Sequence, residues 1–259
     1  MRLRLLGTGT SFGVPQIGCN CPVCRSDDPR DRRSRSGALI ETGSTTILID
    51  SPPELRLQLV QAGVSQIDAV LYTHEHADHV MGIDDLRVFT VRRKGALAAW
   101  GPPETVACLR NSFRYIFDPA IRVPEGTSKP QIELSPATAG IPIDVAGQPV
   151  LPLAVEHGYT PVLGYRVGNL GYLTDVKRLP PETLAALEGV QVLVLGALWW
   201  REHPTHQSIP DAVALAQRIG ARRTLLTHLS HETGHQELAD RLPPGIEPGY
   251  DGLVVEVTA

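Results

Sequence analysis

Apolar positions along this chain follow two rhythms, and the alternation between them sets the expected architecture. Arg2 to Leu6 alternates with a period of two and runs into Gly7-Thr8-Gly9-Thr10, the pattern of a strand entering a tight turn. Gly37 to Glu41 and Thr45 to Asp50 read as two more strands, joined in a hairpin around Thr42-Gly43-Ser44. Ser51-Pro52-Pro53-Glu54 then has the composition of a helix start, with Ser51 as the cap and proline at the first helical position, and Gly63 closes the segment. Ile67 to Thr73 is an apolar strand, Asp84 to Val91 a helix, a short strand reaches Trp100, and Pro103 to Tyr115 spaces its residues as a further helix.

Between Phe117 and Asp175, Gly and Pro punctuation cuts the chain into short strands, of which Val150 to Val155, Val162 to Val167 and Leu170 to Thr174 stand out. Alternation then returns: helix near Pro181 to Leu187, strand Val190 to Leu195, helix Ile209 to Ile219, strand Arg223 to Thr227, helix near Gln236 to Arg241, and strand Leu253 to Val257. No repeat, low-complexity tract or linker is visible, so one domain spanning residues 1–259 is expected, with stacked sheets inside and helices outside. Hydrophobic residues are 42% of the chain, enough for a core of that size and too many for a disordered protein.

Charge narrows the partners. Lys plus Arg is 24 against Asp plus Glu at 28, a net charge of -4, so no global basic field is present and nucleic acid is not the expected partner. An anionic ligand must be held locally, by a metal ion or a small cluster. No segment approaches the roughly 18 apolar residues of a membrane span, and Met1 to Gly7 does not resemble a signal sequence. Four cysteines are too few for a disulfide scaffold, and Cys19, Cys21 and Cys24 crowd into six positions where mutual bridging would be strained. Metal binding by reduced thiols, in the cytoplasm, is the expectation. Cys108, on an expected helix, reads as a small core residue, and the oligomeric state stays open, a homodimer included.

His74-Glu75-His76-Ala77-Asp78-His79 places three imidazoles and, with Asp78, a carboxylate within six residues, directly after a strand. Imidazole nitrogen and carboxylate oxygen suit Zn²⁺, Mn²⁺ or Fe²⁺. One tetrahedral ion cannot use all four groups and keep an open position, so the cluster points to two ions about 3.5 to 4 Å apart. Further ligands are then required. His157, Asp175 and His228 each stand at the end of a separate expected strand.

His-x-His-x-Asp-His followed in order by His, Asp and His resembles the pattern of the metallo-β-lactamase-fold hydrolases, over nearly the whole chain. The resemblance implies an αββα sandwich of two mixed β-sheets flanked by helices. It implies that His74, His76 and His157 bind one ion, that Asp78, His79 and His228 bind a second, and that Asp175 bridges them; Asp50 would orient a ligating imidazole. True β-lactamases typically lack the bridging carboxylate and are exported, which argues against antibiotic hydrolysis. Cys19, Cys21 and Cys24 offer three thiolates for a structural zinc, with His231 as the fourth ligand. This combination is similar to the phosphoribosyl cyclic phosphate phosphodiesterases, the PhnP-like proteins, as are Leu6-Gly7-Thr8-Gly9-Thr10 and Gly249-Tyr250-Asp251-Gly252.

The activity implied is metal-dependent hydrolysis of a small anionic phosphodiester, a cyclic ribose phosphate included, by a hydroxide shared between two Mn²⁺ or Zn²⁺ ions. His206 is the expected acid for the leaving alkoxide, with His203 as competitor in the same loop. Gly196-Ala197-Leu198-Trp199-Trp200 lacks an acidic residue that relatives often carry there; Trp199 and Trp200 are expected as core or partner surface, with pocket lining as the alternative. Arg30-Asp31-Arg32-Arg33-Ser34-Arg35 is expected as a solvated face. Competing readings are a tRNA 3′-end endonuclease, whose flexible arm and basic surface are not found here, a PqqB-like cofactor-biosynthesis enzyme, and a metal-binding module with an inactive site.

Overall fold

The computed structural model describes residues 1–43 and 45–258. Ser44, in the expected hairpin turn, and Ala259, at the end of the expected domain, lie outside the described residues.

Strands β1 (Arg2–Gly7), β2 (Gly37–Thr42), β3 (Thr45–Ile49), β4 (Ala69–Leu71), β5 (Leu97–Gly101) and β6 (Ile132–Pro136) begin one sheet. Strands β7 (Ile143–Val145), β8 (Gln148–His157), β9 (Thr160–Val167), β10 (Leu170–Leu173), β11 (Val192–Gly196), β12 (Arg223–Thr227) and β13 (Ile246–Pro248) form a second, and β14 (Val254–Glu256) returns to the first. The spatial orders are β14-β1-β2-β3-β4-β5-β6 and β13-β12-β11-β10-β9-β8-β7. Both sheets are mixed: β3 through β6 and β10 through β13 run parallel, and the remaining pairs are antiparallel.

A period of two explains how the layers hold together. Ile47 and Ile49 of β3 and Val192 and Val194 of β11 enter one core between the sheets. Leu48 faces a second core under the helices of the first sheet, and Leu193 and Leu195 face a third under those of the other. The first sheet is covered by α1 (Leu55–Gln61), α2 (Ala77–Val80), α3 (Arg87–Arg93), α4 (Pro103–Ser112) and α5 (Arg114–Phe117). The second is covered by α6 (Pro181–Ala186), α7 (Ile209–Ile219) and α8 (His235–Arg241). The result is the expected αββα sandwich of two mixed sheets. Among the described residues, no helix is long and apolar enough to cross a membrane.

Several local expectations are corrected. Ser51 does not cap α1; its hydroxyl lies 3.1 Å from the Tyr72 hydroxyl and donates to the Val80 carbonyl, while Glu54 precedes the helix without a side-chain cap bond. The helix expected over Asp84 to Val91 is a 3₁₀ turn (Ile83–Leu86) followed by α3. That expected over Pro103 to Tyr115 breaks at Phe113, whose φ of -111° and ψ of 48° are not helical. The strand expected over Ile67 to Thr73 shrinks at both ends to β4, and beyond its C-terminal end Thr73 turns its amide and hydroxyl to Asp50. Cys108 is half-buried, and it is Val106 and Leu109 that enter the core from α4.

Candidate metal centres

Parallel strands in each sheet deliver their C-terminal ends to one edge of the sandwich, the usual place for ligands in α/β sheets. Asp50 follows β3, His74 comes three residues after β4, Asp175 two residues after β10, and His228 directly after β12; His157 closes β8. The single turn of α2 brings Asp78 and His79 to the same point. Asp50 and His228 both adopt left-handed backbone, with φ of 61° and 59°, which turns each side chain sharply out of its strand direction.

These side chains converge. His74, His76, His157 and Asp175 form one donor group, and Asp78, His79 and His228 another, each with donor atoms within 4.8 Å of one another. Asp175 spans both. Its Oδ2 lies 3.8 Å from His74 Nε2 and 3.7 Å from His157 Nε2, while Oδ1 lies 3.4 Å from both His79 Nε2 and His228 Nε2. Asp78 Oδ2 sits 3.3 Å from His79 Nε2 and 3.8 Å from His228 Nε2.

A second layer of hydrogen bonds fixes which nitrogen faces inward. His79 Nδ1 donates to Asp50 Oδ2 at 2.7 Å, and its Nε2 faces the carboxylates of Asp78 and Asp175. Thr73 Oγ1 donates to the same oxygen at 2.8 Å and therefore accepts from His74 Nδ1 at 3.0 Å. His157 Nδ1 donates to the Thr205 carbonyl at 2.9 Å. Sequence reasoning missed Thr73 and Thr205, since a hydroxyl and a backbone carbonyl carry no motif.

Divalent cations fit this donor set. His79 Nε2 and both ring nitrogens of His228 are buried without a hydrogen-bond partner among the described residues. His74 Nε2 and His76 Nδ1 are only 2.9 Å apart, a spacing two lone pairs tolerate only with a proton or cation beside them. Burial opposes charge on Asp175, but His228 and His79 outweigh it and hold its carboxyl well below the usual range. Asp78 is likewise held low against burial by the neighbouring imidazoles of His228 and His79. Burial alone would keep His79 neutral, yet Asp175 and Asp50 push its pKa well above the ordinary histidine value. Two carboxylates facing these buried imidazoles leave the centre short of positive charge. His74 and His157 are pushed down chiefly by burial, which keeps them neutral as ligands must be.

Cys19, Cys21, Cys24 and His231 gather separately, with the three sulfurs 3.3, 3.4 and 3.5 Å from His231 Nδ1. A tetrahedral zinc with ordinary Zn–S and Zn–N bonds separates sulfur from nitrogen by about 3.5 Å, so the four residues suit zinc as they stand. The Cys24 amide, with weaker help from its neighbours, lowers the Cys21 thiol to about 6, while burial raises Cys24 to about 11.

The other candidates divide. His206 lies over the cluster, its Nε2 3.9 Å from Asp175 Oδ2 and its ring stacked on His228 at 4.8 Å. His203 packs behind it, 5.1 Å between ring centroids. A pocket of ≈ 720 Å³ opens above the donors, lined among others by His76, Asp78, Asp175, His206 and His228. Trp200 is anchored, its Nε1 donating to Thr233 Oγ1 at 2.8 Å beneath Arg241, whereas Trp199 lines a neighbouring cleft. The solvated face expected over Arg30 to Arg35 is corrected: Arg33 is 1% exposed and Asp31 6%. The Arg33 guanidinium donates to the carbonyls of Ser230 and Thr233, clamping the loop that carries His228 and His231. A buried arginine that satisfies carbonyls reads, in sequence, like any surface arginine.

The β-lactamase superfamily domain family matches residues 45–229. A solved diphosphatase from the PhnP family superposes with a TM-score of 0.91 and 37% identity, covering 99% of this chain and 98% of that one. An octanoyltransferase from Porphyromonas gingivalis is 42% identical over 256 residues, 98% of this chain, which spans only 51% of that protein's length. A ribonuclease Z from Mycobacterium sp. is 28% identical over 94% of this chain and 95% of its own. The chain therefore belongs to the β-lactamase superfamily, has the metallo-β-lactamase fold and is similar to the PhnP family within it.

Proposed function

We propose that this chain is a metal-dependent phosphodiesterase acting on a small anionic phosphodiester, with cyclic ribose phosphates among the candidates. The observation that carries the reading is Asp175, whose two oxygens face two separate donor groups at the floor of a pocket. His74, His76 and His157 would hold one Mn²⁺ or Zn²⁺, Asp78, His79 and His228 the other, and Asp175 both. Cys19, Cys21, Cys24 and His231 would hold a structural zinc, which suits thiols in a reducing cytoplasm. When bound, the pair of ions supplies Lewis-acid charge for the phosphoryl oxygens and lowers the pKa of a water.

The chain's own groups do the rest. Asp50, Thr73 and the Thr205 carbonyl keep His79, His74 and His157 in the tautomers that present Nε2. Hydrolysis forms a bond from water oxygen to phosphorus and breaks the ester bond, so the leaving alkoxide must gain a proton. His206 is the group placed to give it. Burial holds His206 down to about 3 while the pocket is free, and an anionic phosphate beside it would raise that value, so that the imidazole takes up a proton with the substrate. As the ester bond breaks, that imidazolium would pass its proton to the departing alkoxide and return to neutral imidazole. His203 lines the neighbouring cleft and not this pocket, which favours His206.

The likeness to a PhnP-family diphosphatase supports hydrolysis at phosphorus and adds phosphoric anhydrides to the substrate range. A second reading, cleavage of RNA, is favoured by the ribonuclease Z relative; the net charge of -4 weighs against it. The test is turnover of bis(p-nitrophenyl) phosphate by chelator-stripped protein refilled with Mn²⁺ or Zn²⁺, with the monoester as control. Metal-dependent diester turnover, lowered roughly 10²- to 10⁴-fold in His206→Ala with ions retained, is expected. No turnover with two ions bound would overturn the reading.

A further inference from the structure

Beside the pocket above the donor cluster lies a second cleft of ≈ 370 Å³, walled by Phe12, Gln16, Trp199, Arg201 and His203. Ser11, His206 and His228 line both spaces, so two lobes meet at the reacting centre. A cyclic phosphate carries both ester oxygens on one ring and fills a single lobe. A linear ester or anhydride carries two substituents that leave phosphorus in different directions, and two lobes suit it.

The second lobe has the chemistry of a planar ring site. Phe12 is 65% exposed at its lip, an apolar ring that the core does not use. Arg201 lies 3.8 Å above the Trp199 ring and is held there by Glu232 at 2.6 Å, so a flat, pinned guanidinium extends the aromatic surface. Gln16 and His203 add polar groups able to meet the edge of a base. A volume of this size holds a heterocycle, and stacking of bases on such surfaces tolerates many sequences.

We propose that the substrate carries a nucleoside 5′-phosphate unit, its base resting in the cleft of Phe12 and Trp199 while the second substituent occupies the larger pocket. The proposal rests on the phosphodiesterase reading and names its substrate class. Thymidine 5′-(p-nitrophenyl phosphate) and methyl p-nitrophenyl phosphate share a leaving group and a charge and differ in the nucleoside. With Mn²⁺-loaded protein, kcat/KM is expected to be at least about 30-fold higher for the nucleotide; Phe12→Ala should shrink that ratio about tenfold through KM, and Phe12→Trp should keep it. Turnover of both esters at similar kcat/KM, or a ratio that Phe12→Ala leaves intact, would overturn the proposal and leave the phosphodiesterase reading standing. Should neither ester react, that reading fails, and the cleft is decided by thymidine 5′-monophosphate quenching of tryptophan fluorescence. Saturable quenching weakened in Phe12→Ala supports the base site, and absence of quenching overturns it.

Discussion

The two donor clusters are built in opposite ways. Around Asp175, His74 and His79 are fully buried, and their outer nitrogens bond Thr73 and Asp50, residues at the ends of core strands. Scaffold hydrogen bonds therefore hold that geometry. Around His231, Cys19 and Cys21 are half-buried on a long loop, and only Cys24 is buried. Their sulfurs have little besides one another, His231 and a few amides to hold them. The first cluster is therefore expected to keep its shape without metal, and the second to need a bound ion to keep its own.

Asp175→Asn offers the largest test of the first half of that contrast. Replacing one oxygen with an amide removes a carboxylate facing four imidazoles, and several kcal/mol of charge stabilisation corresponds to about 10³-fold in rate. Turnover should fall by at least that much, and metal analysis should show weakened binding at both positions with the zinc at the cysteines retained. Asp50→Asn reaches the same centre through His79 alone, so metal affinity or activity should fall about 10- to 100-fold. Equal losses in the two variants would show that Asp175 does not span two ions. Cys21→Ser tests the other half: the melting temperature should drop by about 5 to 10 °C with one zinc lost, while diester turnover recovers when Mn²⁺ is supplied. Loss of the catalytic ions at an unchanged melting temperature would reverse the contrast.

Legibility in the sequence followed the same division between chemistry carried by residue type and chemistry carried by position. His74, His76, Asp78 and His79 declare themselves because a strand end and one helical turn put consecutive residues at one point. His157, Asp175 and His228 were visible only as polar residues closing apolar runs, and they converge because parallel strands share an edge. Thr73 and Arg33 were invisible: one acts through a hydroxyl between Asp50 and His74, the other through a guanidinium buried among carbonyls. Edge strands β7 and β13, three residues each, are too short for a period of two to register.

Asp251 tests how far the protein itself helps to hold the cysteine loop. Its carboxylate accepts from Thr8 Oγ1 at 2.7 Å and from the Ser34 amide and hydroxyl at 2.7 and 2.6 Å, tying together the two chain segments from which that loop departs. Burial raises it to about 6 despite those bonds. A carboxyl raised above its unfolded value binds its proton more tightly in the folded state, so its contribution is most favourable below about pH 4 and is lost as pH rises through about 6. The cost at neutral pH is roughly 2 kcal/mol, allowing for partial exposure. The difference in unfolding free energy between pH 5 and pH 7.5 should therefore be smaller in Asp251→Asn than in the parent protein, as read by urea denaturation at both values. The amide cannot accept all three bonds, so zinc should also leave the cysteines several-fold faster, followed with a chromogenic chelator. An unchanged release rate would mean that the loop is held by its ion and by Arg33 alone, and would sharpen the contrast between the two clusters further.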